Sequence, residues 1–202
     1  NNIYLKFRKK TCTPFSAFLN FGPFTICSFS PERFIKLNNN IITTSPIKGT
    51  IKRSDDPVID NQLKEELSSS EKNIAENLMI VDVLRNDISR VSKKGSVEVT
   101  ELAKIKSYKN VHHLVSTIKG LLAEKLDAID LLFATLPGGS ITGAPKIRAM
   151  EIISELEKNR RGVYCGAIGF ISFSKDSDFN IPIRTLTIAD NTISINCGGG
   201  IV

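Results

Sequence analysis

The densest group of residues able to do chemistry is the run Leu136-Pro137-Gly138-Gly139-Ser140-Ile141-Thr142-Gly143-Ala144-Pro145-Lys146-Ile147-Arg148-Ala149-Met150. Glycines let a backbone approach a ligand closely, Pro145 suits a helix start, and the free N–H groups of such a start favour an anion. Gly138 and Gly143 have the spacing of a nucleotide phosphate loop, but Ala144 stands where that loop needs its lysine, so the phosphate mechanism fails. Taken alone, the segment is most simply a helix-entry turn. Arg184 falls in the segment Ile181 to Ala189, read as a strand, on one face with Leu186 and Ile188. An unpaired guanidinium is costly to bury, so it needs a partner; an internal Asp and a ligand carboxylate both fit. Glu76 lies in the helical run Asn73 to Asp87 and is either a solvated carboxylate or one ligand of a hard cation. Asp87 is eleven residues on, about 16 Å along a helix, so those two cannot share one ion. Lys48, in Ser45-Pro46-Ile47-Lys48-Gly49-Thr50, reads as a loop lysine; such lysines mostly face solvent, and one becomes a nucleophile only where burial or nearby cations lower its pKa. His112-His113 belongs to no metal pattern; one suits the core and the other an acid or base near neutral pH.

These residues need elements to hold them. The first 50 residues read as strands, Ile3 to Phe7, Phe15 to Leu19, Phe24 to Phe29 and Ile41 to Thr44, separated by Gly22-Pro23 and Asn38-Asn39-Asn40. Asp55-Asp56-Pro57 signals a helix start, and helical spacing runs from Val58 to about Asp87, with Ser68-x-x-Glu71 as a capping box at a possible break. Helices are expected at Leu114 to Leu122, Ala128 to Leu136 and Ile147 to Glu157. Alternation then predicts strands at Val163 to Phe173, Phe179 to Ala189 and Thr192 to Cys197, with Asp190-Asn191 as a two-residue turn. Strands, then helices, then strands argue for an α+β fold on antiparallel sheets.

The 202 residues carry 27 Lys plus Arg against 21 Asp plus Glu, and 41% are apolar. That length is one large domain or two small ones, and no linker or repeat divides it. Only 7% of residues are aromatic and Trp is absent, so platforms for stacking bases are scarce and nucleic-acid binding is excluded. No apolar run reaches membrane-helix length and no signal pattern opens the chain, which predicts a cytoplasmic protein without membrane contact. The mild basic excess suits an anionic small molecule. Cys12, Cys27, Cys165 and Cys197 are widely spaced without C-x-x-C and are expected to be buried free thiols. The first residue is Asn rather than Met, suggesting a piece of a longer polypeptide.

In chain order the sequence also contains Ser30-Pro31-Glu32-Arg33-Phe34, Pro46 to Thr50, Ala75 to Asp82 followed by Arg85-Asn86-Asp87, and Val111-His112-His113-Leu114-Val115-Ser116. The Gly139 to Met150 segment, Ile183-Arg184-Thr185 and Cys197-Gly198-Gly199-Gly200-Ile201-Val202 follow. This ordered set, covering nearly the whole chain, resembles the chorismate-utilising enzymes, the family of anthranilate, isochorismate, salicylate and aminodeoxychorismate synthases. The resemblance implies antiparallel sheets packed face to face with helices outside, and a single chorismate-binding catalytic domain over 1–202, incomplete at both termini. Pro-Ile-Lys-Gly-Thr is similar to the aminodeoxychorismate synthase component I branch, whereas anthranilate synthase carries a small residue at the lysine position.

What the resemblance implies for the site is specific. Lys48 would add to the chorismate ring as the hydroxyl departs, ammonia from a glutamine amidotransferase partner would then displace the lysine, and Glu32 would protonate the departing hydroxyl, with His113 nearby. Glu76 matches a Mg²⁺ ligand. Arg184, Tyr164 and the backbone of Gly198, Gly199 and Gly200 match the grip on the enolpyruvyl carboxylate, and Gly139 and Ser140 line the same pocket. The implied activity is amination of chorismate to 4-amino-4-deoxychorismate on the way to 4-aminobenzoate and folate. The alternatives are anthranilate synthase component I, a water-using isochorismate or salicylate synthase, and a non-catalytic module that docks the amidotransferase or a ligand.

Overall fold

The computed structural model describes residues 2–199. Its strands are β1 (Phe15–Asn20), β2 (Phe24–Ser30), β3 (Arg33–Asn38), β4 (Ile41–Thr44), β5 (Ile47–Lys52), β6 (Glu98–Ser107), β7 (Val111–Leu121), β8 (Ile168–Ile171), β9 (Ser177–Asn180), β10 (Thr185–Ala189) and β11 (Thr192–Ile195). They form two antiparallel sheets, one ordered β1-β2-β10-β11 and one ordered β5-β7-β4-β3-β9-β8 with β6 added on β7. Five helices accompany them: α1 (Asn2–Thr11), α2 (Pro57–Ser69), α3 (Glu71–Ser89), α4 (Ala128–Thr135) and α5 (Lys146–Leu156). The α+β class with antiparallel sheets is what the sequence predicted.

Local chemistry sets the helix boundaries. Asp56 accepts from the Val58 and Ile59 N–H groups, with Pro57 in the first turn where its missing N–H costs nothing. The break after α2 falls at Ser70, whose side chain accepts from the Asn73 N–H and so starts α3; the capping residue is two positions beyond the one expected. Asp127 and Asp130 form a reciprocal capping box on α4. The main core lies between α3, α4 and the larger sheet, where Ile80, Val81, Leu84, Ile88 and Leu131 meet Phe34, Leu37, Ile42 and Ile118.

Three expectations are corrected. Ile3 to Phe7 is helix, because α1 docks Tyr4 on the smaller sheet with its ring 5.4 Å from both Phe18 and Phe29, leaving Ile3, Leu5 and Phe7 exposed. Leu114 to Leu121 belongs to the interior strand β7, which is mostly buried and therefore lacks the polar alternation that marks a half-exposed strand. Lys48 is in β5 and not in a loop. The last third also breaks more often than expected: Pro182 separates β9 from β10, as a residue without an N–H would. Strands β3 and β6 are additional to the sequence reading. Asp190 and Asn191 do form the turn between β10 and β11, both at positive φ. Of the four free cysteines, Cys27 and Cys165 are buried while Cys12 and Cys197 are exposed, so burial holds for two. Among the described residues no helix is long and apolar enough to cross a membrane.

The two sheets meet at a corner that positions the site. β2 crosses into β3 through Pro31-Glu32, and β9 crosses into β10 through residues 181–184. The crossings are tied together: Ser30 Oγ donates to Ile181 O at 2.6 Å, the Ile181 N–H to Glu32 O at 3.2 Å and the Phe29 N–H to Arg184 O at 3.1 Å.

Candidate active site

Glu32 stands at the corner, 8% exposed, its backbone held on both sides by the Ser30 hydroxyl and Ile181. Burial pushes its carboxyl up from the ordinary value; the Ser140 hydroxyl, the Lys48 charge and the Ile47 N–H oppose that shift without cancelling it. Lys48 reaches it from β5. The pairing of β5 with β7 is regular at Ile47 with Val115 and at Thr50 with His113, and slips between them, so Lys48-Gly49 is an irregularity that re-aims one side chain. Gly49 adopts φ +87° there. Lys48 Nζ then lies 3.4 Å from Ser140 O. Ser140 belongs to a 3₁₀ turn, Gly139–Ile141, which sits on α3 so closely that a Cβ on Gly139 would lie 2.7 Å from Val83 Cγ1. The Ser140 hydroxyl is buried near Glu32 but completes no hydrogen bond of good geometry, leaving an open polar group at the site.

The two adjacent histidines divide their roles by strand alternation. His112 is fully buried, with Nε2 2.9 Å from Asp60 Oδ1 and Nδ1 2.8 Å from Ser107 Oγ. His113 points the other way, with Nδ1 2.7 Å from Thr50 Oγ1 and the Tyr108 ring edge-on at 5.3 Å. Burial lowers the His113 pKa first, and the Arg184 charge lowers it further, which favours the neutral ring. Arg184 itself precedes β10 and is exposed at φ +53°; the strand face that the sequence suggested for it does not exist, because the corner turns the chain before β10 begins. No Asp or Glu among the described residues pairs with it, so of the two partners the sequence allowed, the internal Asp is absent.

Tyr164 lies in a turn whose next residue, Cys165, donates its N–H to Pro182 O at 3.4 Å, tying the turn to the corner. Its hydroxyl is 2.7 Å from where a Cβ on Gly198 would be, so Tyr164 and the backbone of Gly198 are brought together. Gly199 follows in exposed chain outside any strand or helix, and Gly200 lies outside the described residues. Arg161 links this wall to the other: its Nη1 donates to Ile141 O at 2.9 Å and its own carbonyl accepts the Tyr164 N–H at 3.1 Å.

Glu76 is on α3, half-buried, with Lys72 at 4.0 Å as a loose neighbour. Among the described residues no three His, Cys, Asp or Glu side chains converge on a metal position. A single carboxylate fits a hard cation that keeps its waters and takes further oxygens from substrate, and does not fit a cage made wholly of protein ligands. A surface cleft lined by Leu37, Lys93, Leu121, Lys125 and Asp127 lies at the opposite end of β7 from His113 and contains none of these residues. Thr50, Asp60, Arg161 and the Asp87–Lys146 pair escaped the sequence reading. Only Asp60 left a trace, since adjacent histidines on a strand must face opposite ways and the inward one needs a buried partner.

The whole chain, residues 1–202, matches the family model described as chorismate binding enzyme. Aminodeoxychorismate synthase component 1 of Salmonella typhimurium is 55% identical over 189 residues, covering 94% of this chain and 42% of that protein. Anthranilate synthase component 1 of Pseudomonas putida is 46% identical over 202 residues, covering 100% of this chain and 41% of that one. The crystal structure of anthranilate synthase component I from Streptococcus pneumoniae superposes with a TM-score of 0.86 at 41% identity, over 95% of this chain and 42% of that one. The chain thus spans under half the length of these relatives.

Proposed function

The chain belongs to the chorismate binding enzyme family, and from that premise we propose that it carries the catalytic surface for amination of chorismate to 4-amino-4-deoxychorismate, with ammonia drawn from a glutamine amidotransferase partner. The observation that carries this reading is one arrangement: Lys48 Nζ is directed by the β5 irregularity to 3.4 Å from Ser140 O, beside a buried Glu32 whose carboxyl is shifted by burial toward holding its proton. An amine and a proton donor on one small surface suit a displacement in which a hydroxyl must leave.

In the first step Lys48, its ammonium proton released to solvent, forms a C–N bond from the free amine to a ring carbon, the ring double bond shifts, and the C–O bond to the ring hydroxyl breaks. Glu32 gives its proton so that the oxygen departs as water. In the second, ammonia bonds to the carbon that lost the hydroxyl, the double bond returns, and the Lys48 C–N bond breaks to restore the amine. His113, its ring favoured in the neutral form, accepts a proton from the ammonium nitrogen that forms once ammonia has bonded. Arg184, without a carboxylate partner of its own among the described residues, offers a guanidinium fork to a substrate carboxylate beside the Tyr164 hydroxyl and the Gly198 backbone. Glu76 would hold Mg²⁺ together with water and substrate oxygens, supplying positive charge against a second carboxylate. The 55% identity to an aminodeoxychorismate synthase component 1 supports this reading.

A second reading, formation of anthranilate, draws on the 46% identity to an anthranilate synthase component 1. Incubating the full-length protein with chorismate, Mg²⁺ and ammonium and separating the products by mass distinguishes them. 4-Amino-4-deoxychorismate is expected; anthranilate with pyruvate would overturn the first reading. Intact-mass analysis should detect a ring adduct on the wild type that Lys48→Ala lacks.

A further inference from the structure

Asp87 is 3% exposed and takes no part in the chemistry above, yet two cations converge on it. Lys146 Nζ donates to its Oδ2, and Arg90 Nη2 donates to its Oδ1 at 2.8 Å. Each cation also grips the backbone at the end of α4: Lys146 Nζ donates to Thr135 O at 3.1 Å and Arg90 Nη2 to Ala134 O. Residue 135 ends α4 and residue 146 opens α5, so one buried carboxylate closes the base of the segment between them. That segment carries Gly139 and Ser140. Midway along, Gly139 rests on Val83, one helical turn before Asp87 on α3. Two points on one face of one helix, about 6 Å apart, therefore fix both the base of the loop and its middle. A buried ion pair contributes little net stability against a well-packed apolar replacement, but it defines a geometry.

We infer that Asp87 and Lys146 are positioning residues: through the base of the loop they set where the Ser140 carbonyl stands, and through that carbonyl where Lys48 Nζ points. This rests on the reading of Lys48 as the nucleophile. It does not rest on contact with substrate, since neither residue touches the Lys48 amine.

The test compares full-length wild type, Lys146→Met, and the double variant Asp87→Asn/Lys146→Met, which avoids stranding a buried charge if the single variant fails to fold. Hydrogen exchange followed by mass spectrometry should show the 138–144 amides exchanging at least about tenfold faster in either variant, with β1 and β2 unchanged. With chorismate, kcat should fall about a hundredfold, the scale of an ångström-sized misplacement, while KM stays within a few-fold. A general loss of stability would instead speed exchange across the whole chain. Unchanged protection at 138–144, or wild-type kcat in a folded double variant, overturns the inference. Should the wild type give no product from chorismate, the proposed function falls and the exchange comparison alone decides this inference.

Discussion

Glu32 shows how a single residue acquires its role from its surroundings. Its carboxyl is raised chiefly by burial, so between the ordinary glutamate value and the raised one the folded protein binds a proton that the unfolded chain has released. The sign is therefore fixed: stability is full below that window and declines as pH climbs through it. Thermal melts across pH should record this decline in the wild type and not in Glu32→Gln. The same variant should lose about a hundredfold or more in kcat, the usual scale for removing a general acid, when product formation is timed. His113 is governed by burial and then by Arg184. Arg184→Gln removes one positive charge beside it, so the His113 pKa should rise in an NMR titration; an unchanged midpoint would contradict the proximity of the two groups.

At the scale of elements, the irregularity in β5 does more for the site than any helix. A regular strand would send Lys48 and Gly49 to alternate faces in step with their neighbours, and the slip between Ile47 and Thr50 frees Lys48 to reach the 3₁₀ turn. Gly49 permits it in two ways. Its φ of +87° suits glycine, and a Cβ there would lie 3.0 Å from both Leu67 and Asn73 side chains. Gly49→Ala should therefore cost about 1–3 kcal/mol in chemical denaturation and reduce turnover as well. Gly139 makes the corresponding demand on the other side, where the clash falls on Val83; Val83→Ala should restore part of the stability that Gly139→Ala removes, measured as a double-mutant cycle.

For the whole molecule, the decisive feature is the corner at which both sheets exchange strands. It brings Glu32 and Arg184, 152 positions apart in sequence, into one region, and Pro182 ties the turn that carries Tyr164 to it. The opposite support comes from Asp60, which accepts from Arg53 at 2.8 Å and from the Ser54 N–H at 3.1 Å, with His112 Nε2 2.9 Å away, locking the start of α2 to β7. Arg53 first, then His112 and Ser54, hold the Asp60 carboxyl well below the usual range against the effect of burial. That contribution is present above the ordinary aspartate value and is lost as pH falls below it. Asp60→Asn should flatten the acid side of the stability curve, which melts between pH 5 and 2 would reveal.

The sequence by itself determined the chemistry-bearing motifs, the Asp56-Pro57 helix start, the Asp190-Asn191 turn and membership in a family whose model spans the chain. Each of these is encoded by neighbours a few positions apart, where side-chain and backbone preferences act directly. Only tertiary structure decided that Leu114 to Leu121 is strand, because a segment covered on both faces loses the alternation that would announce it. It also decided that Lys48 occupies an irregular strand, that Arg184 stands outside its strand, and that Asp87 pairs with Lys146. Those outcomes depend on what the fold places against each residue across long stretches of chain, and burial, charge pairing and close contact leave no local mark.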